Sequence, residues 1–170
     1  MERPDLDIRL FEQRDIETMA AAFAAIGFNK PASQYEKYWQ EQTLQERVVL
    51  VAFLKNEFSG YVTICWKSEY SPFLEAAIPE IKDFNVLPKF RRLGIGTQLM
   101  NAAEKIIRQN HPVAGIGVGM TTDYGAAQKM YILRGYIPDG RGLIYNNQPV
   151  QYGQQIPVDD DLILCFTKVL

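Results

Sequence analysis

The pattern of apolar and polar residues divides the chain into strand-like and helix-like segments. Apolar and polar residues alternate in residues 6–11, which predicts a first strand, and apolar residues recur at helical spacing in residues 14–26. The unbroken apolar run 48–54 is typical of a strand that is covered on both faces. The later segments are a helix at 33–42, strands at 58–67, 75–87, 113–120 and 162–169, a loop at 68–73, helices from 97 to about 110 and from about 122 to 135, and a hairpin at 143–153. This order predicts an α/β fold with a central mixed sheet and helices on both faces.

A basic loop that contains two glycines connects the strand ending near residue 87 to the following helix. Pro88 ends the strand pairing because it has no N–H to donate. Gly94 and Gly96 then precede the helical pattern, and such a helix start offers free backbone N–H groups and the positive end of the helix dipole. The basic side chains of the loop are Lys89, Arg91 and Arg92. The loop is therefore predicted to bind an anion.

The predicted strand 113–120 carries glycine at every second position. Because side chains alternate between faces, Gly115, Gly117 and Gly119 lie on one face of this strand. A face without side chains allows another group to approach the backbone closely. Two interpretations follow, tight packing of a neighbouring element or a ligand that lies along the strand.

Composition narrows the class of protein. The 170 residues are 47% hydrophobic and 22% charged, which predicts one globular domain over 1–170 with its core over about 6–170. The net charge of −2 excludes nucleic-acid binding through a general basic excess, so the loop is expected to bind a small anion. Residues 1–5 do not resemble a signal peptide and no apolar run could span a bilayer, so we expect a cytoplasmic protein without a membrane partner.

Cysteine and histidine usage argues against a metal centre. Cys65 and Cys165 lie in apolar, strand-like runs and are expected to be small core residues in a reducing compartment. His111 is the single histidine and stands beside Pro112, where a helix cap or a loop position is the expected role. No metal site is predicted.

Two blocks in the second half of the chain resemble motifs of one family. The loop lacks the Gly-Lys-Ser/Thr ending of a nucleotide phosphate loop, and Leu99 stands where a dinucleotide motif has its third glycine. Residues 86–96 (VLPKFRRLGIG) instead resemble the acetyl-CoA signature of the GNAT N-acetyltransferases, Val-x-Pro followed by Arg/Gln-x-x-Gly-x-Gly/Ala at a helix start. Residues 124–136 (YGAAQKMYILRGY) resemble the second family block, Asn-x-x-Ala-x-x-Leu-Tyr-x-x-x-Gly-Phe. Tyr124 stands where the family usually has Asn.

The resemblance implies the GNAT fold and acetyl-CoA as cosubstrate. That fold has a mixed, mostly antiparallel sheet of about seven strands with a V-shaped splay between the central strands. The CoA pyrophosphate would lie on the N–H groups of the loop, and main-chain N–H groups near Val86 and Leu87 would polarise the acetyl carbonyl. Tyr124, Gln128 or Asp123 would replace the contact of the usual Asn. The implied cofactor-binding residues are Val86, Leu87, Arg91, Arg92, Leu93, Gly94, Ile95, Gly96, Thr97, Tyr124, Gln128 and Tyr131.

Amine acetylation requires a base and an acid. A lysine-like amine has a pKa of about 10.4 and must lose a proton before it attacks a thioester. If the strand is regular, Glu80 shares the face of Val86 and Asp83 points to the opposite face. Since family members often keep a carboxylate near this place, Glu80 is the preferred base, with Asp83 and Glu75 as alternatives. Tyr131 matches the family's general-acid tyrosine, which would protonate the CoA thiolate.

The resemblance thus implies an enzyme that transfers an acetyl group to a primary amine of a small molecule or peptide, by direct attack of the amine on the thioester. A non-catalytic CoA-binding regulatory module on the same fold and an unrelated phosphate-binding domain are the alternatives. The acceptor is expected to enter beside residues 28–35 and 139–155. Tyr35 and Tyr38 on the second helix are interpreted as core, with an acceptor groove as the less favoured reading. No nucleic-acid partner is expected, and a homodimer is compatible with the sequence.

Overall fold

The computed structural model describes residues 5–170 and has a mixed α/β architecture. Its strands are β1 (Leu6–Leu10), β2 (Arg47–Leu54), β3 (Glu57–Cys65), β4 (Glu80–Val86), β5 (Val113–Gly119), β6 (Ile137–Tyr145), β7 (Gln148–Pro149) and β8 (Leu162–Val169). Its α-helices are α1 (Ile16–Ala24), α2 (Ala32–Thr43), α3 (Ser71–Glu75), α4 (Ile95–Arg108) and α5 (Gly125–Leu133). The strand order is β1-β2-β3-β4-β5-β8-β6-β7. The predicted fold class is confirmed, with eight strands instead of about seven.

The chain forms two compact units. The first contains the residues up to Cys65 together with Lys82–Ile106, and the second contains Trp66–Ile81 together with Ile107–Leu170. Strand β4 begins in the second unit and ends in the first. Strands β4 and β5 pair in parallel, with Glu80 opposite Gly115 and Ile81 opposite Ile116. The antiparallel strand pairs are β1–β2, β2–β3, β5–β8, β6–β8 and β6–β7.

Aromatic rings from α1 and α2 form the core of the first unit. Helical spacing places Met19 and Phe23 on the buried face of α1. The Phe23 ring meets the rings of Phe58 and Tyr61 edge-on, with centroids 6.1 and 5.7 Å apart. Tyr35 of α2 is fully buried and meets Tyr61 edge-on at 5.7 Å. Burial of these large apolar surfaces stabilises the unit, and it confirms the core interpretation for Tyr35.

The second unit contains a helix that the sequence pattern did not predict. Residues 68–73 were expected to form a loop, but α3 begins at Ser71 with Pro72 in its first turn. Proline suits this place because the first N–H groups of a helix have no partner within it. Ala77 has a left-handed φ of 53°, and β4 starts only at Glu80, later than the predicted strand. Phe73 of α3 belongs to a buried core cluster of the second unit, whose other members are Tyr70, Ile144 and Cys165.

The glycine face of β5 is filled by side chains of the second unit. A Cβ at Gly115 would lie 2.5–2.9 Å from carbons of the Phe73 ring, and one at Gly119 would lie 2.5 Å from the Tyr124 ring. A Cβ at Gly117 would lie 2.9 Å from Ile163. Tight packing therefore accounts for these glycines, and the alternative of a ligand along this face is not needed.

Both cysteines are buried and neither is in a disulfide, as predicted for small core residues. No helix within residues 5–170 combines the length and the apolar character that crossing a bilayer requires.

Replacing Gly115 by alanine should destabilise the second unit. The new methyl group would approach the Phe73 ring more closely than van der Waals contact allows, so the ring or the strand has to shift. We expect the free energy of unfolding, measured by urea denaturation, to fall by about 1–3 kcal/mol. Gly125→Ala is the matched control, because its methyl group meets no atom of the described chain within 4 Å and alanine favours the helix. Equal effects of the two substitutions would contradict this account of the glycine face.

Candidate functional site

The glycine loop leads from β4 to α4 and exposes the first turn of that helix. After a 3₁₀ turn at Pro88–Phe90, Arg92 and Gly94 adopt left-handed φ values of 60° and 79°, and α4 begins at Ile95. Glycine reaches this conformation without steric cost, and no described atom lies within 4 Å of a Cβ built at Gly94. Ile95 is 1% exposed and fixes the helix start in the core. The first N–H groups of a helix have no acceptor within it, so together with the open space beside Gly94 the start of α4 is a candidate anion site.

The three basic side chains of the loop differ in their surroundings. The Lys89 ammonium forms an ion pair with Glu57, at an exposed position. Arg91 Nε donates a hydrogen bond to the Val86 carbonyl at 3.1 Å, and Arg91 and Arg92 are both exposed. Two guanidinium groups thus lie in water next to the beginning of α4, where their charges add to the helix dipole.

The end of β4 contributes one candidate donor for an acetyl carbonyl. The Leu87 N–H donates to the Ser59 carbonyl at 2.9 Å, so it takes part in the pairing with β3. The strands approach closely here, since a Cβ at Gly60 would lie 2.5 Å from the Asn85 carbonyl oxygen. Of the two N–H groups predicted to polarise the carbonyl, that of Val86 is therefore the candidate that remains.

Asp83 interrupts the regular geometry of β4. Its φ of 46° is left-handed, which is uncommon for a residue other than glycine. The alternation of side chains between faces does not hold across such a residue. The expectation that the strand is regular is therefore wrong, and alternation no longer places Glu80 on the face of Val86. The Asp83 carboxylate accepts hydrogen bonds from Lys30 Nζ (2.7 Å), Asn85 Nδ2 (2.8 Å), Tyr38 OH (2.9 Å), Gln34 Nε2 (3.0 Å) and Tyr61 OH.

These donors keep Asp83 ionised. Burial alone would raise the pKa of its carboxyl group, but the Lys30 ammonium and the tyrosine hydroxyls outweigh burial and hold that pKa below its usual value. Burial, with the Asp83 charge, raises the pKa of Tyr38 and Tyr61, which stay protonated as donors. A carboxylate that is ion-paired and binds a proton weakly is a poor general base. Its surroundings suit the binding of a cation.

Glu80 lies in a different environment, in the second unit. Glu80 is 4% exposed, and its carboxylate accepts a hydrogen bond from Ser68 Oγ at 2.5 Å. Ser68 Oγ in turn accepts the Tyr70 N–H at 3.0 Å, which fixes the hydroxyl. A Cβ at Gly117 would lie 3.9 Å from Glu80 Oε1, so the glycine strand also leaves space for this carboxylate.

Tyr131, on α5, is buried and 4% exposed. Its ring lies beside that of Tyr136, with centroids 6.0 Å apart. Burial raises the pKa of the Tyr131 hydroxyl, and the neighbouring Tyr124 raises it further. The hydroxyl is consequently protonated at neutral pH, as a general acid must be before it donates.

Tyr124 and Gln128 both contact Gly119 at the end of β5. The Tyr124 hydroxyl donates to Asp160 at 2.9 Å, and the Tyr124 ring packs on Gly119. Gln128 Nε2 donates to the Gly119 carbonyl at 2.9 Å. Gly135, with a φ of 89°, follows α5 and allows the chain to turn away, as its place in the second block predicts.

Several residues at these positions were given no individual role from the sequence: Lys30, Gln34, Tyr38 and Tyr61 around Asp83, and Ser68 beside Glu80. Two signals were relevant, the acceptor entry expected beside residues 28–35, which include Lys30 and Gln34, and the aromatic side of α2, which was interpreted mainly as core. Lys30 and Asp83 are 53 residues apart, so no local motif links them.

The sequence comparisons agree with the two blocks. Residues 14–136 match the model of the acetyltransferase (GNAT) family. An uncharacterized N-acetyltransferase of Archaeoglobus fulgidus is 39% identical over 74 residues, which cover 43% of this chain and 50% of that protein. The match thus spans half the length of this relative.

Solved structures share the fold. The structure of yncA from Salmonella typhimurium, determined with its cofactor acetyl-CoA, has a TM-score of 0.71 and 14% identity, and the match covers 97% of this chain and 94% of that chain. Ard1 from Thermoplasma volcanium has a TM-score of 0.70 and 20% identity over 98% of each chain. At such identities the similarity concerns the fold.

The Asp83 cluster should make stability depend on pH. Because the folded pKa of Asp83 lies below its unfolded value, its ionised form stabilises the fold above about pH 4, and this contribution is lost as the pH falls through the folded pKa. Asp83→Asn should lower the free energy of unfolding at pH 7 by about 2 kcal/mol and by clearly less at pH 3. Asp7→Asn, at a side chain that is 66% exposed, is the matched control for urea denaturation at both pH values. A deficit of the same size at both pH values would contradict this role.

Proposed function

Because this chain belongs to the acetyltransferase (GNAT) family, we propose that it transfers the acetyl group of acetyl-CoA to a primary amine. The observation that carries the proposal is the open loop before α4. It combines the N-terminal turn of a helix, whose first N–H groups have no acceptor within the helix, two exposed guanidinium groups and a left-handed Gly94 with free space outside it. These features lie on the residues that match the acetyl-CoA signature, and they fit a pyrophosphate.

Residues of both sequence blocks have roles in binding the donor. The N–H groups of residues 92–97 and the charges of Arg91 and Arg92 bind the pyrophosphate. Gln128 takes the place of the family's usual Asn. Its amide nitrogen donates to Gly119, which leaves its amide oxygen to accept an N–H of the pantetheine arm.

In the proposed reaction Glu80 removes a proton from the acceptor ammonium, directly or through a water molecule. The neutral amine nitrogen attacks the thioester carbonyl carbon, and the Val86 N–H stabilises the oxygen that gains negative charge. The C–N bond forms, the nitrogen loses its second proton to water, the C–S bond breaks, and CoA leaves as a thiolate. Tyr131 donates its proton to this thiolate and later regains one from solvent. Asp83 does not act as the base, because it is ion-paired with Lys30.

The proposal is tested by the release of free CoA thiol from acetyl-CoA in the presence of a panel of primary amines. We expect amine-dependent release by the wild-type protein. Tyr131→Phe should slow it by about a hundredfold with an unchanged Kd for CoA, since general acid catalysis contributes about that much. Tyr136→Phe is the matched control, because it removes the hydroxyl of the adjacent ring.

Two outcomes would contradict these assignments. Equal rates for wild type and Tyr131→Phe would exclude Tyr131 as the acid. Tight CoA binding without thiol release for any amine would favour the non-catalytic CoA-binding module.

Arg92→Glu should weaken CoA binding. The substitution replaces an attractive charge near the pyrophosphate by a repulsive one, so we expect Kd, measured by calorimetry, to rise at least about tenfold. The effect should shrink as salt increases, because exposed charges are screened. Lys105→Glu makes the same charge change at an exposed position on α4 and serves as the control. Equal Kd values of the two variants for CoA would contradict the assignment of the pyrophosphate to this loop.

A further inference from the structure

The groups that surround the end of the Lys30 side chain are suited to bind a primary ammonium ion. Its Nζ lies 2.7 Å from Asp83 Oδ1 and 3.1 Å from the Tyr61 hydroxyl oxygen. It also lies 5.7 Å from the ring centroids of both Phe23 and Tyr61. A carboxylate, a hydroxyl oxygen and two aromatic faces are the groups by which proteins recognise an ammonium ion. We refer to Phe23, Tyr61 and Asp83 as the ammonium cage.

The cage keeps its shape by contacts that do not involve Lys30. Gln34, Tyr38, Tyr61 and Asn85 all donate to the Asp83 carboxylate and hold it in place. These neutral donors leave its negative charge uncompensated, so a cation is required next to it. Any primary ammonium ion that enters would meet the same oxygens and rings as Lys30 does.

Tyr35 supports one wall of the cage. It is fully buried, and its ring meets that of Tyr61 edge-on with centroids 5.7 Å apart. This packing holds the Tyr61 ring in position beside Asp83.

Lys30 is placed where it can leave the cage. It lies in the connection between α1 and α2, in which Phe28, Asn29 and Pro31 are exposed. Next to it is a groove of about 310 Å³, lined on one side by Glu17 and three alanines of α1 and on the other by residues 28–31. When a second ammonium ion replaces that of Lys30, Asp83 stays paired and Lys30 becomes hydrated. The exchange therefore avoids the cost of a buried unpaired charge.

The position of the cage on β4 defines the ligand. Asp83 precedes Val86, the proposed site of the thioester carbonyl, by three residues, which span at most about 10 Å of chain. An amine that pairs with the ionised Asp83 stays protonated, because this carboxylate binds a proton weakly, and a protonated amine cannot attack a thioester. A second amine on the same molecule, joined by a flexible carbon chain, spans this distance.

We propose that the acceptor is a diamine or a longer polyamine, one ammonium group of which displaces Lys30 from the ammonium cage while another amine receives the acetyl group. This inference rests on the proposed acetyltransferase function. In it, Asp83 anchors the acceptor, and Lys30 competes with the acceptor's ammonium group for the ammonium cage.

The wild-type protein provides the first test. Thiol release is measured with α,ω-diamines with carbon chains of about three to eight atoms and with monoamines of the same chain length. We expect kcat/KM for the best diamine to exceed that of its matched monoamine at least about tenfold, with a maximum at one chain length. Equal values at every length would overturn the inference and leave the acetyltransferase function intact. No release with any amine would overturn both.

Two substitutions provide the second test. Asp83→Asn should reduce the diamine-to-monoamine ratio of kcat/KM to near one, because the carboxylate charge is lost. Lys30→Met keeps the apolar stem and removes the competing ammonium, so KM for the best diamine should fall several-fold. Lys37→Met, at a side chain that is 72% exposed, is the matched control and should change neither value.

Folding of the variants is checked by their Kd for CoA. If Asp83→Asn does not fold, the Lys30→Met variant still decides, by calorimetric titration with the best diamine. Binding tighter than in wild type supports the cage as the acceptor's anchor. Unchanged or weaker binding shows that Lys30 is only a structural partner of Asp83 and overturns the inference.

Discussion

The charge of Asp83 is the constraint on which the first unit depends. An ionised carboxyl group with a side chain only 18% exposed is costly unless it is paired and hydrogen-bonded. The connection between α1 and α2 contributes the ammonium of Lys30, α2 contributes Gln34 and Tyr38, and β3 contributes Tyr61. Three elements packed around β4 thus meet at one buried charge and compensate it.

Strand β4 places three residues of the candidate site in three different environments. Glu80 is buried at the start of the strand and is held by Ser68, whereas Asp83 is surrounded by donors in its middle. Near its end, Val86 leads into the glycine loop. The left-handed residue in the middle of the strand breaks the simple alternation of faces, so these groups are not restricted to one side. Two carboxylates with different partners, Lys30 for Asp83 and Ser68 for Glu80, thus lie three residues apart on one strand.

Local sequence patterns were reliable where a residue's own backbone preference or periodicity decides the outcome. The glycine loop and the helical pattern after it predicted α4, and Gly135 was correctly placed after α5. The same patterns missed α3, because Pro72 is favoured both in turns and in the first turn of a helix. They also treated β4 as regular, since Asp83 has no local feature that distinguishes it from an ordinary strand residue. Its left-handed backbone accompanies contacts with distant parts of the chain.

The sequence by itself determined the order of most elements, the place of the glycine loop before α4 and, through two spaced blocks, the family. These properties depend on backbone preferences and on periodicities that act between near neighbours in the chain. Only the tertiary structure decided the partners of the ionisable groups: Lys30 for Asp83, Ser68 for Glu80 and Asp160 for Tyr124. The reason is physical, because hydrogen bonds and ion pairs form between groups that folding brings together. Their strength and their effect on a pKa depend on burial, which no short stretch of sequence specifies.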